Sequence, residues 1–329
     1  MRIGLDAMGG DRGPSEVVSG ALAAREYLEN GDTIVLVGQE DVVRRELDAH
    51  DMCDGIEVYH AEQAIGMAES PVDALRNKPK SSITVMTALH RHKELDACIS
   101  AGNTGACVAA AQMGLRRLKG VHRPGISVLA PTFAGPLAIC DCGANVNCRP
   151  LNLYQYGVMT SVYMRAITDI ESPRVGLLSV GEEETKGNTL VKKTSELLKD
   201  DPKVNFIGNV EGNDLLRNVM DVMVCEGFVG NVVLKLVEGL GSGLISGLHK
   251  QLSESIPEQK HLVDEALGAL AKKYDFNQYG GAPLLGVDGI WIICHGASAS
   301  CGIKNAVREA KQFSTRKVNE QITEQLSGR

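Results

Sequence analysis

The chain reads as an α/β protein built on a mostly parallel, doubly wound sheet, and three observations predict it. Short β-branched runs alternate with helical patterns along most of the sequence. Polar, glycine-containing turns recur where those runs end, at 6–11, 100–106, 141–145, 181–188, 226–231 and 295–298. From residue 232 the pattern changes to leucines at helical spacing that stand apart from the alternation. Strand–helix–strand alternation implies parallel strands joined by right-handed crossovers. In such a sheet ligands bind at the carboxyl ends of strands, so six polar turns there can converge.

The first strand is the apolar run 3–5, closed by Asp6-Ala7-Met8-Gly9-Gly10-Asp11. Val17, Ala21, Ala24 and Leu28 then form one helical stripe, which Pro14 can start and Asp11 can cap. Gly9 and Gly10 let the backbone approach a ligand, and helix-start N–H groups favour an anion. Asp6 and Asp11 beside an anion site require a substrate hydrogen, a lysine or a metal to balance them. A strand at 33–37, a helix at 41–49 and a strand at 56–59 follow. The polar stretch 70–80 reads as a solvated helix and loop, and 83–92 as a helix. His90 and His92 are two apart and share no helix face, which makes a poor metal pair.

A strand at 96–100 leads into Asn103 and Thr104, either of which can cap the small-residue helix behind it. Beyond that helix lies a basic cluster, Arg116, Arg117, Lys119, His122 and Arg123. Runs 126–130 and 137–140 form a strand pair, ending in the Asp141–Asn145 turn, and Arg149-Pro150 opens a helix over 151–167. The strand 174–180 ends in a turn rich in charge that carries Lys186 and Asn188. It fails as a Walker A loop because Lys186 precedes Gly187. Strands at 204–207 and 221–225 follow, the second ending in Glu226 and, five residues on, Asn231. The leucines of 232–275, broken by Pro257, predict a helical hairpin that packs most simply on the same hairpin of a second subunit. Gly280 and Gly281 return the chain to a late strand at 289–294, then His295 and a terminal helix from 303 to 322.

The chain has 329 residues, 43% of them hydrophobic, enough for a large core and, by length alone, for about two domains. The net charge is −7 with no long block of like charge, which excludes nucleic acid as a partner. An acidic enzyme meeting an acidic partner needs a local basic patch. Nine cysteines are scattered, and Cys140, Cys142 and Cys148 lack the paired spacing of a zinc site. They read as small buried residues in a reducing cytosol, with no metal expected. No signal-like segment opens the sequence, and no apolar run approaches the ~18 residues of a membrane span. There is no nucleophile elbow, no zinc-protease helix and no dinucleotide fingerprint. The chemistry is therefore positioning and charge stabilisation: Lys186 with helix-start amides suits phosphate, and Asn103, Asn145, Asn188 and Asn231 can orient a carbonyl or phosphate oxygen.

The segments DAMGGD, SAGNTGA, DCGANVNCRP, GLLSVGEEETKGN, NFIGNVEG, EGFVGNVVLK and YGGAPLLG, in this order, resemble the bacterial phosphate acyltransferase family, the acyl-ACP:phosphate acyltransferases of phospholipid synthesis. The resemblance spans nearly the whole chain. It implies one three-layer α/β/α, Rossmann-like catalytic domain over 1–329, like the isopropylmalate dehydrogenases, with the hairpin 232–275 inserted in it. It also implies a homodimer, cytoplasmic and peripherally membrane-associated, that needs no cofactor. The implied reaction is the reversible conversion of fatty acyl-ACP and phosphate to acyl phosphate and free ACP, the first committed step toward phosphatidic acid. The implied partners are acyl carrier protein, inorganic phosphate, the membrane surface and the downstream membrane glycerol-3-phosphate acyltransferase. Glu226 and Asn147 stand where the family has Asp, and Ala299 and Ser300 follow the His295 turn in place of an acidic residue.

The expected mechanism is direct attack of phosphate on the thioester. Lys186, Asn231 and His295 are the catalytic candidates. Asp6, Gly9, Gly10, Asp11, Asn103, Thr104, Asp141, Asn145, Asn188 and Glu226 are the candidates for substrate or phosphate binding. A CoA-linked phosphate acetyl- or butyryltransferase, a dehydrogenase-like enzyme, and a non-catalytic ACP or membrane scaffold are the alternatives; the missing dinucleotide fingerprint argues against the second.

Overall fold

The β-branched runs become strands and the periodic segments between them become helices. The structure, a computed structural model, describes residues 1–50, 54–133 and 135–327; Cys53 and one residue of the predicted turn between the paired strands lie outside the described residues. In chain order the elements are β1 (Arg2–Asp6), α1 (Gly13–Ala24), β2 (Thr33–Gly38), α2 (Glu40–Leu47), β3 (Ile56–His60), α3 (Pro71–Asn77), α4 (Ser82–Arg91), β4 (Ala97–Ser100) and α5 (Thr104–Gly114). Then come β5 (Gly125–Thr132), β6 (Gly135–Cys140), α6 (Pro150–Ile167), β7 (Val175–Leu178), α7 (Thr189–Lys199), β8 (Phe206–Val210) and β9 (Val222–Val224). The chain closes with α8 (Gly227–Ser255), α9 (Lys260–Lys273), β10 (Ala282–Leu285), β11 (Trp291–Ile293), α10 (Ser300–Thr315) and α11 (Val318–Leu326).

The described strands form one 11-stranded sheet in the order β3-β2-β1-β4-β11-β10-β5-β6-β9-β7-β8. Alternating residues of each strand face opposite layers. Val35, Cys98, Ile139, Met223 and Ile293 face one core shared by the whole sheet, against α4, α5 and the start of α8. On the other face Ile3, Leu36 and Ile99 pack on α1 and α10, while Ala138, Leu177 and Val224 pack on α6, α7 and α11. This is the three-layer α/β/α arrangement.

Antiparallel pairings β11–β10, β10–β5 and β5–β6 sit in the middle; the other pairs are parallel. The strands of the two sheet halves therefore run in opposite directions. The expectation that all the polar turns face one way is corrected accordingly. The two halves are nevertheless linked at their ends by α8, which starts against the 141–145 turn and carries Lys235 to His295.

Other boundaries differ for physical reasons. Asp11 does not cap α1: Arg12 holds the N-cap position, and the Asp11 N–H donates to Gly296 O at 2.7 Å. Strand β8 lies two residues later than predicted. Strand β10 is an addition. It carries Pro283, which argues against a central strand, but Ala282 and Pro283 pair with β11 while Leu284 and Leu285 pair with β5, so the missing N–H removes only one ladder bond. The terminal helix is two helices, divided at Lys317, whose φ of 52° is left-handed.

Helix α8 starts at Gly227, ahead of the predicted hairpin, and its 29 residues extend about 44 Å at 1.5 Å each. Val229, Val233, Leu234 and Val237 pack on the shared core; beyond them Leu240, Leu244, Leu248 and Ile256 are exposed. Contrary to the sequence expectation, α8 is long and apolar enough to cross a membrane, by length and composition only, because glycines and serines interrupt its leucines without making it polar. Helix α9 returns along it, with His249 and Lys260 both bonded to Asp264.

Candidate active site

The end of β1 is built around a buried carboxylate. Asp6 is 3% exposed; its Oδ2 accepts from Ser100 Oγ at 2.7 Å and its Oδ1 from Met8 N at 3.1 Å. Burial raises its pKa, against the pull of these donors. Ser100 Oγ accepts from Gly102 N, so Asp6 and Ser100 together lock the 6–11 and 100–106 turns. A Cβ on Gly9 would stand 2.7 Å from Gly102 N, and Gly10 has φ +96°, so both positions require glycine. The Asp11–Gly296 bond adds the 295–298 turn. Asn103 caps α5 through Ala106 N at 3.0 Å, and its amide donates to the carbonyls of Gly66, Met67 and Glu69. Asp6 and Asn103 are thus turned inward and shape the backbone; Thr104, beside them, is exposed.

A second cluster forms where β6 and β9 end. Asp141 Oδ1 accepts from Ile126 N at 2.9 Å and Ala144 N at 3.0 Å, and Oδ2 accepts from Asn145 N at 2.7 Å. Burial pushes its pKa up to about 6 although these N–H groups favour the charged form. Asn145 Nδ2 donates to Pro124 O, to Tyr156 Oη and, more weakly, to Asp141. Glu226 caps α8, its two oxygens accepting from Phe228 N at 2.7 Å and Val229 N at 3.1 Å. The longer side chain therefore still reaches the first-turn amides. Gly227 and Gly230 bring α8 against the Asp141 turn, where a Cβ would stand 2.7 Å from Asn145 O and 2.0 Å from Asp141 O respectively. Exposed Asn231 lies over Gly143.

Helix α8 joins the two clusters. Asn231 and Lys235 are four apart and so neighbours on one helix face. The Lys235 ammonium meets His295 Nε2 and also pairs with Glu238 at 2.9 Å, while His295 Nδ1 accepts from Ala297 N at 3.2 Å. The structure thus brings Asn231 and His295 to one helix. It adds Lys235, whose only sequence signal is its place four residues after Asn231.

The Lys186 turn stands apart. It follows β7, which neighbours β9 and runs parallel to it. Asn188 caps α7 through Val191 N at 3.0 Å, and Glu183 O accepts from Lys186 N and Asn209 Nδ2. The stem of Lys186 lies against Gly181, and its ammonium has no hydrogen bond or ion pair among the described residues. No bond there ties this turn to the other five.

Cys140, Cys142 and Cys225 are buried and Cys148 half-buried at the second cluster. Burial raises all four thiols, Cys148 to about 11 and the others further, with the Asp141 charge adding to it. Among the described residues no three His, Cys, Asp or Glu side chains gather as a metal site.

The family model described as fatty acid synthesis protein matches residues 1–321. The phosphate acyltransferase of Geotalea daltonii is 44% identical over 330 residues, covering 99% of this chain and 94% of its own length. The chain belongs to this phosphate acyltransferase family. It is accordingly an enzyme of the acyltransferase class, within fatty acid and lipid synthesis. The phosphate acyltransferase of Pelotomaculum thermopropionicum is 46% identical over 325 residues, covering 98% of this chain and 94% of its own. Among solved structures, a phosphotransacetylase from Streptococcus pyogenes superposes with TM-score 0.65 at 15% identity, covering 95% of this chain and 94% of its own. A branched-chain phosphotransacylase from Enterococcus faecalis gives 0.60 at 12%, covering 95% and 98%. These two likenesses show the fold alone.

Proposed function

We propose that the protein transfers a fatty acyl group reversibly from acyl carrier protein to inorganic phosphate, giving acyl phosphate and free carrier on the way to phosphatidic acid. The observation that carries this reading is the meeting of Asn231, Lys235 and His295 at the base of α8, over the Asp141 turn, beside thiols that burial keeps protonated. A thiolate is the nucleophilic form of cysteine, and burial suppresses it at Cys140, Cys142, Cys148 and Cys225. An acyl-enzyme on these residues is disfavoured, so phosphate attacks directly. A phosphate oxygen bonds to the thioester carbon, the carbonyl oxygen takes the negative charge, and the C–S bond then breaks to release the carrier thiol. Asn231 and Lys235 supply donors to the oxyanion, His295 Nε2 holds the Lys235 ammonium in place, and the carrier leaves as a thiolate that solvent protonates. Lys186, from the next turn along the sheet, holds the phosphate. Preorganised donors and the joint positioning of both reactants provide the acceleration. The departing thiol has a pKa near 8.5, so acid help is modest.

The carrier is acidic and this chain has net charge −7, so encounter relies on the local cluster Arg116, Arg117, Lys119, His122 and Arg123. The exposed leucines of α8 pack on the same hairpin of a second copy. The end near Pro257 touches the cytoplasmic membrane surface, close to the membrane glycerol-3-phosphate acyltransferase that takes the product. Because His249 and Lys260 share Asp264, that contact is weak and reversible.

The test is incubation with palmitoyl-ACP and phosphate, followed by hydroxylamine trapping. Acyl hydroxamate that depends on both substrates is expected. Its absence, with turnover of acetyl-CoA in its place, would assign the chain to the CoA-linked alternative.

A further inference from the structure

The start of α6 and the loop before β5 enclose a small basic cavity of about 240 Å³, lined by His122, Arg123, Asn147, Arg149 and Asn152. No carboxylate lines it, and neither Arg123 nor Arg149 has a carboxylate partner among the described residues. Arg123 makes one long bond, 3.4 Å, to Asn145 Oδ1. Two guanidiniums without counter-charges are conspicuous on a chain of net charge −7. The polar residue at the back, Asn152, is 4% exposed. Its Oδ1 accepts from Arg149 N at 2.8 Å, while its Nδ2 makes no hydrogen bond among the described residues; Asn152 is one of the residues lining the cavity. At the start of the 18-residue helix α6, Pro150 has no N–H and those of Asn152 and Leu153 both donate to Arg149 O, so among the described residues the Leu151 N–H is the one first-turn donor left over.

These features select a ligand. Every lining residue carries a donor group, and the guanidiniums present forked donors that match tetrahedral oxyanions. The volume lies below the range of drug-sized pockets, and the polar walls reject an acyl chain. We infer that this cavity is a phosphate-group subsite, held by Arg123, Arg149 and the Asn152 amide at the start of α6. It lies one residue contact, Arg123 to Asn145, from the cluster that carries Asn231, so the inference deepens the proposed reaction and rests on it for the identity of the ligand's owner. Two owners share the chemistry: free inorganic phosphate, and a phosphodiester on the arm that carries the acyl thioester.

The experiment combines phosphorus NMR titration of the full-length protein with inorganic phosphate and steady-state kinetics on Arg149→Gln, Arg149→Lys and the double variant Arg123→Gln/Arg149→Gln. Both arginines are exposed, and unchanged melting and circular dichroism will certify folding. If the cavity holds inorganic phosphate, each lost guanidinium weakens its titrated affinity and raises its KM about ten- to a hundredfold, the worth of a charged hydrogen bond. Arg149→Lys keeps the charge without the fork and falls between. If the cavity holds the carrier's phosphodiester, phosphate titration is unchanged and the KM for acyl-ACP rises by that factor, while a simple acyl thioester lacking the phosphodiester reacts as with the parent protein. Unchanged phosphate affinity together with unchanged acyl-ACP kinetics overturns the inference. Loss of phosphate binding in the variants of a protein that forms no acyl phosphate would sustain the subsite and refute the proposed reaction, which keeps the two separable.

Discussion

Gly230→Ala places one methyl group at the contact on which the proposed site depends. Its Cβ would stand 2.0 Å from the Asp141 carbonyl oxygen and 2.9 Å from Cys225 Sγ, where real Cβ contacts stay above 3.0 Å. The Asp141 side cannot retreat, because its own N–H bonds Cys225 O at 3.0 Å and its carboxylate holds three backbone amides. The first turns of α8 must therefore withdraw by at least about 1 Å, taking Asn231 from Gly143 and Lys235 from His295. Helix propensity alone would make alanine better than glycine by up to ~1 kcal/mol, and overpacking costs about 1–3 kcal/mol, so a net loss of up to about 2 kcal/mol is expected. The activity change is large, since a misplacement of ~1 Å can cost about a hundredfold. Acyl hydroxamate formation and thermal melting measure the two together. Gly239→Ala is the control, because nothing lies within 4 Å of its Cβ; it should keep full activity and gain a few tenths to ~1 kcal/mol. Wild-type kcat/KM in folded Gly230→Ala would refute the placement of the site at the base of α8.

Stability should fall as pH rises from 6 to 8. Burial pushes Glu309, which accepts from the Tyr163 hydroxyl and from Gly281 N, up to about 8 from 4.5, so the folded state keeps a proton that the unfolded state has lost. The slope is about −1.4 kcal/mol per pH unit, roughly 2–3 kcal/mol over that window, and Glu309→Gln should flatten the dependence of the melting temperature. Asp141 acts in the same sense but lower, between 3.8 and about 6, so its contribution is already lost at pH 7. Lys186→Ala should lower phosphate-dependent turnover about a hundredfold, as for one lost transition-state donor; unchanged kinetics would remove it from the site. Leu252→Glu with Ile256→Glu should leave the enzyme active but abolish sedimentation with anionic vesicles; full pelleting of the variant would move the membrane contact elsewhere.

Much of this was legible because the signals are local. The run 3–5, the cap Asn103, and Pro150 at a helix start need only their neighbours in sequence to declare a strand end or a helix. What the sequence hid is non-local. Pro283 speaks against a strand, and only the division of β10 between two neighbours makes it tolerable. The reversal of the sheet is a matter of pairing, which no periodicity encodes. Lys235 looks like one more helix cation until His295, sixty residues away, is found against it. Asp6 and Asn103 show the limit of reading residue type: a carboxylate or amide at a strand end is equally suited to a ligand and to the backbone, and here burial and bond partners turn both to the backbone.

The strand order has a consequence for how the protein is made. Strands β10 and β11 occupy the middle of the sheet, between β4 and β5, yet they leave the ribosome after the other described strands. About 150 residues separate the end of β5 from the start of β10, roughly ten to thirty seconds of synthesis. Throughout that interval β4 and β5 each offer an unpaired, buried-type edge to any passing strand. A chain terminated early cannot survive as half an enzyme, because the missing piece is the seam itself. Its two halves would carry complementary raw edges and join other copies, making premature termination an aggregation lesion.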